Sequence, residues 1–125
     1  MSAEKPALTL RLRFKVDDLV LLGPGKADLL DAIDKTGSIS AAARALGMSY
    51  RRAWVLLDEV NSHLDEPVVD ASFGGKGGGG ARLTPFGREG RNCYRRMQAK
   101  TEEVLADEIA WLAGHTVPGD TEPTP

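Results

Sequence analysis

GSISAAARALGMSYRRAWVLLDEVNSHL, residues 37–64, decides how this chain is read. Within it AAARAL, residues 41–46, is a short helix of high intrinsic propensity. Ser38 or Ser40 can cap it by accepting a backbone N–H. Ala42, Ala43 and Leu46 share one face, and the small alanines let that face approach its neighbours closely. Gly47 turns the chain, and Ser49 is placed to cap a longer helix over residues 50–64. Ala53, Leu56, Leu57, Val60 and Leu64 recur there at helical spacing, which predicts its buried stripe. At about 100° per residue, Arg51, Val55 and Ser62 lie on the opposite side, Arg52 on one flank, and Tyr50 with Trp54 on the other. A short apolar helix, a glycine turn and a helix that opens on exposed cations form the pattern of a helix-turn-helix. The candidate recognition surface is then Ser49, Tyr50, Arg51, Arg52 and Val55. Arginine suits guanine edges and phosphates, while tyrosine and serine suit phosphates. A solvated helix face would also account for Arg51 and Arg52, and Trp54 reads as a core or rim aromatic.

The chain that follows strengthens the first reading. Residues 67–73 and 81–84 are two short strands around GGKGGGG, residues 74–80, which predicts a hairpin. Directly after a helix-turn-helix, such a hairpin is a wing. A phosphate loop of the nucleotide-binding kind fails on spacing, because Lys76 is followed by Gly77 and no G-x-x-x-x-G-K-[ST] is present. A dinucleotide fold needs a parallel βαβ sheet, for which the chain has too few strands. The glycines instead leave a backbone free to lie against a sugar-phosphate edge, with Lys76 and Arg82 as its cations. A flexible hairpin tip accounts for the glycines but not for the lysine among them.

Upstream, LTLRLRFKV, residues 8–16, alternates apolar and polar residues. It predicts a half-buried strand with Leu8, Leu10, Leu12, Phe14 and Val16 inward. Arg11, Arg13 and Lys15 share the outer face, read as solvated rather than bound to phosphate. Residues 17–26 read as a connection with a short helical turn broken at Gly23-Pro24-Gly25. A helix follows over residues 26–36, with Leu29, Leu30 and Ile33 inward and Gly37 as its stop.

Thr84 and Pro85 open the last helix, as cap and first residue. Its apolar positions, from Tyr94 to Leu112, recur at three- and four-residue steps as far as residue 113. At about 1.5 Å per residue, a helix this long outruns a domain this small, and the simplest cover for its far face is the same helix of a second subunit. A helix folded back on its own domain is the other reading. Arg88, Arg91, Arg95 and Arg96 lie in the first half, and Glu102, Glu103, Asp107 and Glu108 in the second. An antiparallel pair would bring these opposite charges together. Gly114 ends the helix, and the remaining Pro- and acid-rich tail is expected to be disordered.

The 125 residues suffice for one domain with a core, and 42% hydrophobic with 27% charged residues is an ordinary globular balance. The net charge of −2 is unevenly spread: residues 37–100 hold ten bases and six acids, and residues 101–125 hold six acids and no base. No apolar run is long enough to span a bilayer, and no signal peptide is expected. One cysteine, Cys93, excludes an internal disulfide and suits a reducing cytoplasm; it reads as a buried or interface thiol. Two histidines and one cysteine are too few and too scattered for a zinc site. No nucleophile–base or paired-carboxylate arrangement points to an enzyme, and His63 and His115 read as solvated. No cofactor is called for.

The run TGSISAAARALGMSYRRAWVLLDEVN followed by GGKGGGGARLTPFG resembles the N-terminal DNA-binding domain of ModE-type molybdate-responsive regulators, themselves similar to the winged helices of LysR-type regulators. The resemblance runs from residue 8 into the last helix. It implies a mainly α fold with a small β-hairpin: a winged helix-turn-helix with an N-terminal strand and a long C-terminal dimerisation helix. It also implies a homodimer on a palindromic DNA operator, with the recognition helix at residues 49–64 and the wing around residues 74–82. ModE-type regulators add C-terminal molybdate-binding domains, whereas this sequence stops at Pro125. DNA binding is therefore carried over, and molybdate sensing is not. The expected organisation is a flexible N-terminus (residues 1–7), a winged helix-turn-helix (8–84), a dimerisation helix (85–113) and a disordered tail (114–125). The expected function is a cytoplasmic, sequence-specific transcriptional regulator of molybdenum or related metabolic genes, without its own oxyanion domain and open to a separate effector or partner protein. The alternative is a protein-interaction module that keeps the winged helix and has lost DNA binding.

Overall fold

A computed structural model describes residues 8–71 and 80–119. Nine elements follow in order among the described residues: β1 (Phe14–Val16), β2 (Leu19–Leu22), α1 (Pro24–Thr36), α2 (Ile39–Ala45), α3 (Tyr50–Asn61), β3 (Val69–Asp70), β4 (Arg82–Leu83), α4 (Pro85–Val104) and α5 (Ala106–Gly114). The expected flexible N-terminus and the end of the expected tail lie outside the described residues.

The helix-turn-helix forms where its capping residues demand. Gly37 sits at φ 74° and its N–H reaches the Ile33 carbonyl, which closes α1. Ser38, rather than Ser40, caps α2, accepting from the Ala41 N–H at 3.1 Å. Gly47, at φ 69°, makes the turn, a conformation that glycine adopts without strain. Ser49 caps α3 by accepting from the Arg52 N–H at 3.0 Å. Leu29, Leu30 and Ile33 of α1, Ala42 and Ala43 of α2, and Ala53, Leu57 and Val60 of α3 are buried in one core, closed over by Val68, Val69, Ala81 and Leu83 of the hairpin. Helix α3 stops at Asn61, short of residue 64, and Leu56 and Leu64 are only partly buried against the core. Asn61 also steers the chain onward. Its side-chain carbonyl accepts from the Val68 N–H at 2.8 Å and leads the backbone into β3.

The wing is antiparallel, with Val69 opposite Leu83 and Asp70 opposite Arg82. A bridge between Ser38 and Gly80, and a 2.9 Å bond from the Ala81 N–H to the Gly37 carbonyl, fix its base to the α1–α2 connection. The glycine-rich tip with Lys76 lies outside the described residues. Thr84 closes the hairpin and starts α4: its hydroxyl accepts from the Gly87 N–H at 2.8 Å and donates to the Pro67 carbonyl at 2.7 Å.

Three expectations are corrected. The N-terminal strand is short, and Leu19–Leu22, expected as part of a connection, pairs with it as a second strand. The two-residue turn places Asp17 at φ 52°, a left-handed conformation that aspartate tolerates. Leu10 and Leu12 are half-buried while Leu8, Phe14 and Val16 are exposed, because this hairpin stands at the domain edge. The last helix is not continuous: Leu105, at φ −95° and ψ 11°, separates α4 from α5. Thr101 just before it turns its hydroxyl onto the Met97 carbonyl at 2.6 Å, a local bond that bends helices.

The third correction concerns the arginines of α4, which do not await a partner's acids. Arg88 reaches Asp34 at 3.0 Å, Arg91 reaches Asp31 at 3.1 Å and Asp34 at 3.0 Å, and Arg95 reaches Asp28 at 3.1 Å and also pairs with Asp31. Asp28, Asp31 and Asp34 lie at helical spacing on α1, so the two helices are laced along one seam within the chain. Arg96 pairs with Glu89 at 3.0 Å on its own helix.

Candidate nucleic-acid interface

The candidate recognition surface is built on the first turn of α3. The buried stripe of Ala53, Leu57 and Val60 faces the core and turns Tyr50, Arg51, Arg52 and Val55 outward. Ser49 stands at the head of this turn with its oxygen engaged as the cap, which leaves its O–H available as a donor. Arg51 and Arg52 are exposed, and their guanidinium groups make no hydrogen bond or ion pair with the described residues. The arginines of α4 are satisfied internally, whereas these two hold guanidinium donors out to solvent. An arginine so presented suits a base edge or a phosphate.

The orientation of α3 is fixed by a residue that the sequence pattern passed over. Lys26, in the first turn of α1, is only 6% exposed. Its ammonium pairs with Glu59 of α3 at 2.9 Å and donates to the Val20 carbonyl of β2. One buried cation thus ties α1, β2 and α3 together. Leaving either partner uncompensated in this position is costly, so the contact constrains how α3 sits. Lysine is rarely buried, and nothing local in the sequence marks this one.

On the wing side of α3, Tyr50 and Trp54 meet edge to face with centroids 6.2 Å apart. Trp54 is 40% exposed, a rim aromatic. Together with Ile39, Ser40, Ala71 and Gly80 the two rings line a groove of about 420 Å³ between α3 and the base of the wing. Trp54 and Ser40 therefore join the candidate surface; the shared flank of Tyr50 and Trp54 was the sequence signal for the first. Arg82 lies elsewhere. It stands across the hairpin from Asp70 and lines a separate groove of about 450 Å³ with Arg88, Glu89 and Asn92. The structure thus brings Ser49, Tyr50, Arg51, Arg52 and Val55 onto one turn and sets Arg82 on another groove. Lys76 lies outside the described residues.

Helix α5 has no buried residue. Trp111 is 66% exposed and Leu112 49%, and Val104 beside the break is 78% exposed. Cys93 is half-buried on α4. No described helix is long and apolar enough to cross a membrane.

Residues 26–88 match the family described as bacterial regulatory helix-turn-helix proteins of the lysR family. The chain is similar to the molybdenum transport protein ModE of Herbaspirillum seropedicae, 43% identical over 84 residues, covering 67% of this chain and 31% of that protein. It is similar to the molybdenum-pterin-binding protein MopB of Rhodobacter capsulatus, 46% identical over 85 residues, covering 68% and 32%. It is also similar to the DNA-binding transcriptional dual regulator ModE of Escherichia coli strain K12, 38% identical over 102 residues, covering 79% and 39%. The chain thus spans 31–39% of the length of these three relatives. The matched family segment runs from buried Lys26 to the first turn of α4, which is the helix-turn-helix and its wing.

Proposed function

The chain belongs to the bacterial regulatory helix-turn-helix proteins of the LysR family, and from that membership we propose a sequence-specific DNA-binding transcriptional regulator that works as a homodimer on a palindromic operator. The observation that carries the reading is the sorting of its arginines. Those of α4 are consumed by carboxylates of the same chain, while Arg51 and Arg52 on the first turn of α3 are left exposed and unpaired among the described residues.

In this reading α3 enters the major groove by its N-terminal turn. Arg51 and Arg52 contact base edges or phosphates, Ser49 and Tyr50 contact phosphates, and Val55 packs against the groove floor. Lys76 and Arg82 serve the flanking backbone. Two exposed α5 helices, one from each subunit, cover each other and hold two readers at half-site spacing. The similarity to ModE proteins supports target genes related to molybdenum, and a DNA target implies the cytoplasm as the working location. No enzymatic role enters this reading, and an effector or partner protein would act through surfaces other than the first turn of α3.

Selection of bound sequences from random and genomic duplexes, with and without molybdate, tests the function and supplies the operator. On that operator Arg51→Ala and Arg52→Ala are each expected to weaken binding by about 1–3 kcal/mol where the contact is bidentate to a base. Unchanged affinity in both variants would overturn the assignment of α3. No shift of bulk duplex DNA at low salt would favour the protein-interaction alternative.

A further inference from the structure

The recognition helix has two flanks, and the wing serves only one. On the other, Arg11 and Arg13 of the N-terminal segment, Gly23, Pro24 and Lys26 at the start of α1, and Arg52 of α3 line one groove of about 520 Å³. Two carboxylates, Asp18 and Glu59, share it. Glu59 is engaged by Lys26 at 2.9 Å, and Asp18 is exposed. Four cations against two acids leave the groove positive.

The segment that carries Arg11 and Arg13 is anchored between them. Tyr94 of α4 is fully buried and donates its hydroxyl to the Leu12 carbonyl at 2.7 Å. Burial pushes the Tyr94 phenol up from its ordinary value, so it remains a donor throughout the neutral range. Gly23 fixes the next residue: a Cβ there would meet Cγ of Arg13 at 3.1 Å, so the Arg13 stem lies across the entry to α1. Both arginines are exposed, and their guanidinium groups make no hydrogen bond or ion pair with the described residues, as is true of Arg51 and Arg52. The bond satisfies a buried phenol and at the same time holds the backbone between the two arginines in place. Here the anchoring removes the freedom that a flexible cationic arm would lose on binding.

We propose that Arg11 and Arg13, together with Arg52, clamp the sugar-phosphate backbone of duplex DNA on the flank of the recognition helix opposite the wing. The inference rests on the DNA-binding reading of α3 and extends it. The major groove is about 12 Å wide and has a phosphate wall on either side of an inserted helix. The wing can serve one wall. Arg11 and Arg13, in one groove with a residue of the recognition helix, stand where they serve the other.

The test is a salt titration of binding to the selected operator and to a mixed-sequence duplex of about 30 base pairs, enough for two half-sites. Wild type, Arg51→Ala, Arg11→Ala/Arg13→Ala and Arg11→Lys/Arg13→Lys are compared, with circular dichroism as the check on folding. For the double alanine variant the slope of log affinity against log salt is expected to fall by about 2 per protomer, with the same loss of affinity on both duplexes. The double lysine variant should keep most of the slope, because a phosphate contact needs the charge more than the fork. A double alanine variant that binds like wild type, while Arg51→Ala weakens operator binding, overturns the phosphate clamp and leaves the recognition helix standing. Wild-type protein that binds neither duplex overturns both.

Discussion

Replacing Gly87 with alanine puts one methyl group where the structure has no room for it. A Cβ at this position would lie 1.9 Å from the Val68 carbonyl oxygen, 2.7 Å from its carbon and 2.8 Å from its Cα. Ordinary carbon contacts begin near 3.5 Å, so the first turn of α4 must move by roughly 1.5 Å relative to the residue that leads into β3. Both surfaces are backbone, so no rotamer change can relieve the clash. Overpacking of this kind costs typically 1–3 kcal/mol. Two hydrogen bonds meet at the same place: Thr84 caps Gly87 at 2.8 Å, and the Thr84 N–H donates to the Val68 carbonyl at 3.0 Å. Losing the cap adds about 1 kcal/mol. The better helix propensity of alanine returns up to about 1 kcal/mol. The net expectation is a loss of about 1–4 kcal/mol, or roughly 4–16 °C in melting midpoint for a chain of this size.

Gly90, one turn further along α4, is the matched control, because a Cβ there meets nothing within 4 Å. Gly90→Ala should raise stability by roughly 0.5–1 kcal/mol. Urea and thermal melts followed by circular dichroism read both. Operator affinity below the transition should fall in Gly87→Ala alone, because Val68 begins the wing. A Gly87→Ala protein as stable as wild type, or the same sign of change in both variants, would refute the packing argument.

Two further outcomes follow from the helix contacts. The Arg91 hydrogen bond, with Arg88 beside it, holds the Asp34 carboxyl below its ordinary value against the opposing effect of burial. The folded state therefore takes up that proton later than the unfolded chain, whose aspartates titrate near 3.9. The contribution is complete above about pH 5 and disappears as pH falls through the folded value, so urea midpoints should drop less steeply below pH 5 in Asp34→Asn than in wild type; identical acid limbs would remove the ion pair from the account. Wild type should sediment as a dimer at micromolar concentration and Trp111→Ser/Leu112→Ser as a monomer with its helical signal retained, whereas a monomeric wild type would exclude pairing through α5.

The helix-turn-helix was legible because its punctuation is local. Gly37, Gly47, Ser49 and the Thr84-Pro85 pair each act on backbone groups within four residues, and each marks the boundary found in the structure. What stayed hidden depends on partners distant in the chain. Leu19–Leu22 is four apolar residues with no period, which cannot by themselves distinguish a strand from a helical turn. Arg88, Arg91 and Arg95 of α4 meet aspartates 54 to 67 residues away, and no local pattern records such a pairing. Lys26 looks like any surface lysine until Glu59 and the Val20 carbonyl are folded around it. Of the candidate site, the turn at residues 49–52 was readable from helical phase alone. The second flank was not, since it needs Tyr94 to bring residues 11–13 to α1.

The pairing of α4 with α1 also changes the argument for a dimer. Charge complementarity between antiparallel helices required the arginines of one subunit to be available to the other. Arg88, Arg91 and Arg95 are already held by α1, and Arg96 by Glu89, while Glu102, Glu103, Asp107 and Glu108 have no ion pair among the described residues. What remains to drive association is the apolar surface of Val104, Trp111 and Leu112, in a segment that buries nothing within its own chain. Hydrophobic association is nearly indifferent to moderate salt, whereas phosphate contacts lose affinity steeply as salt rises. The two halves of the proposed function thus rest on different forces. If the subunits pair as proposed, raising ionic strength should release the protein from DNA before it separates them, because salt weakens phosphate contacts and also screens any repulsion among the acids of two α5 segments.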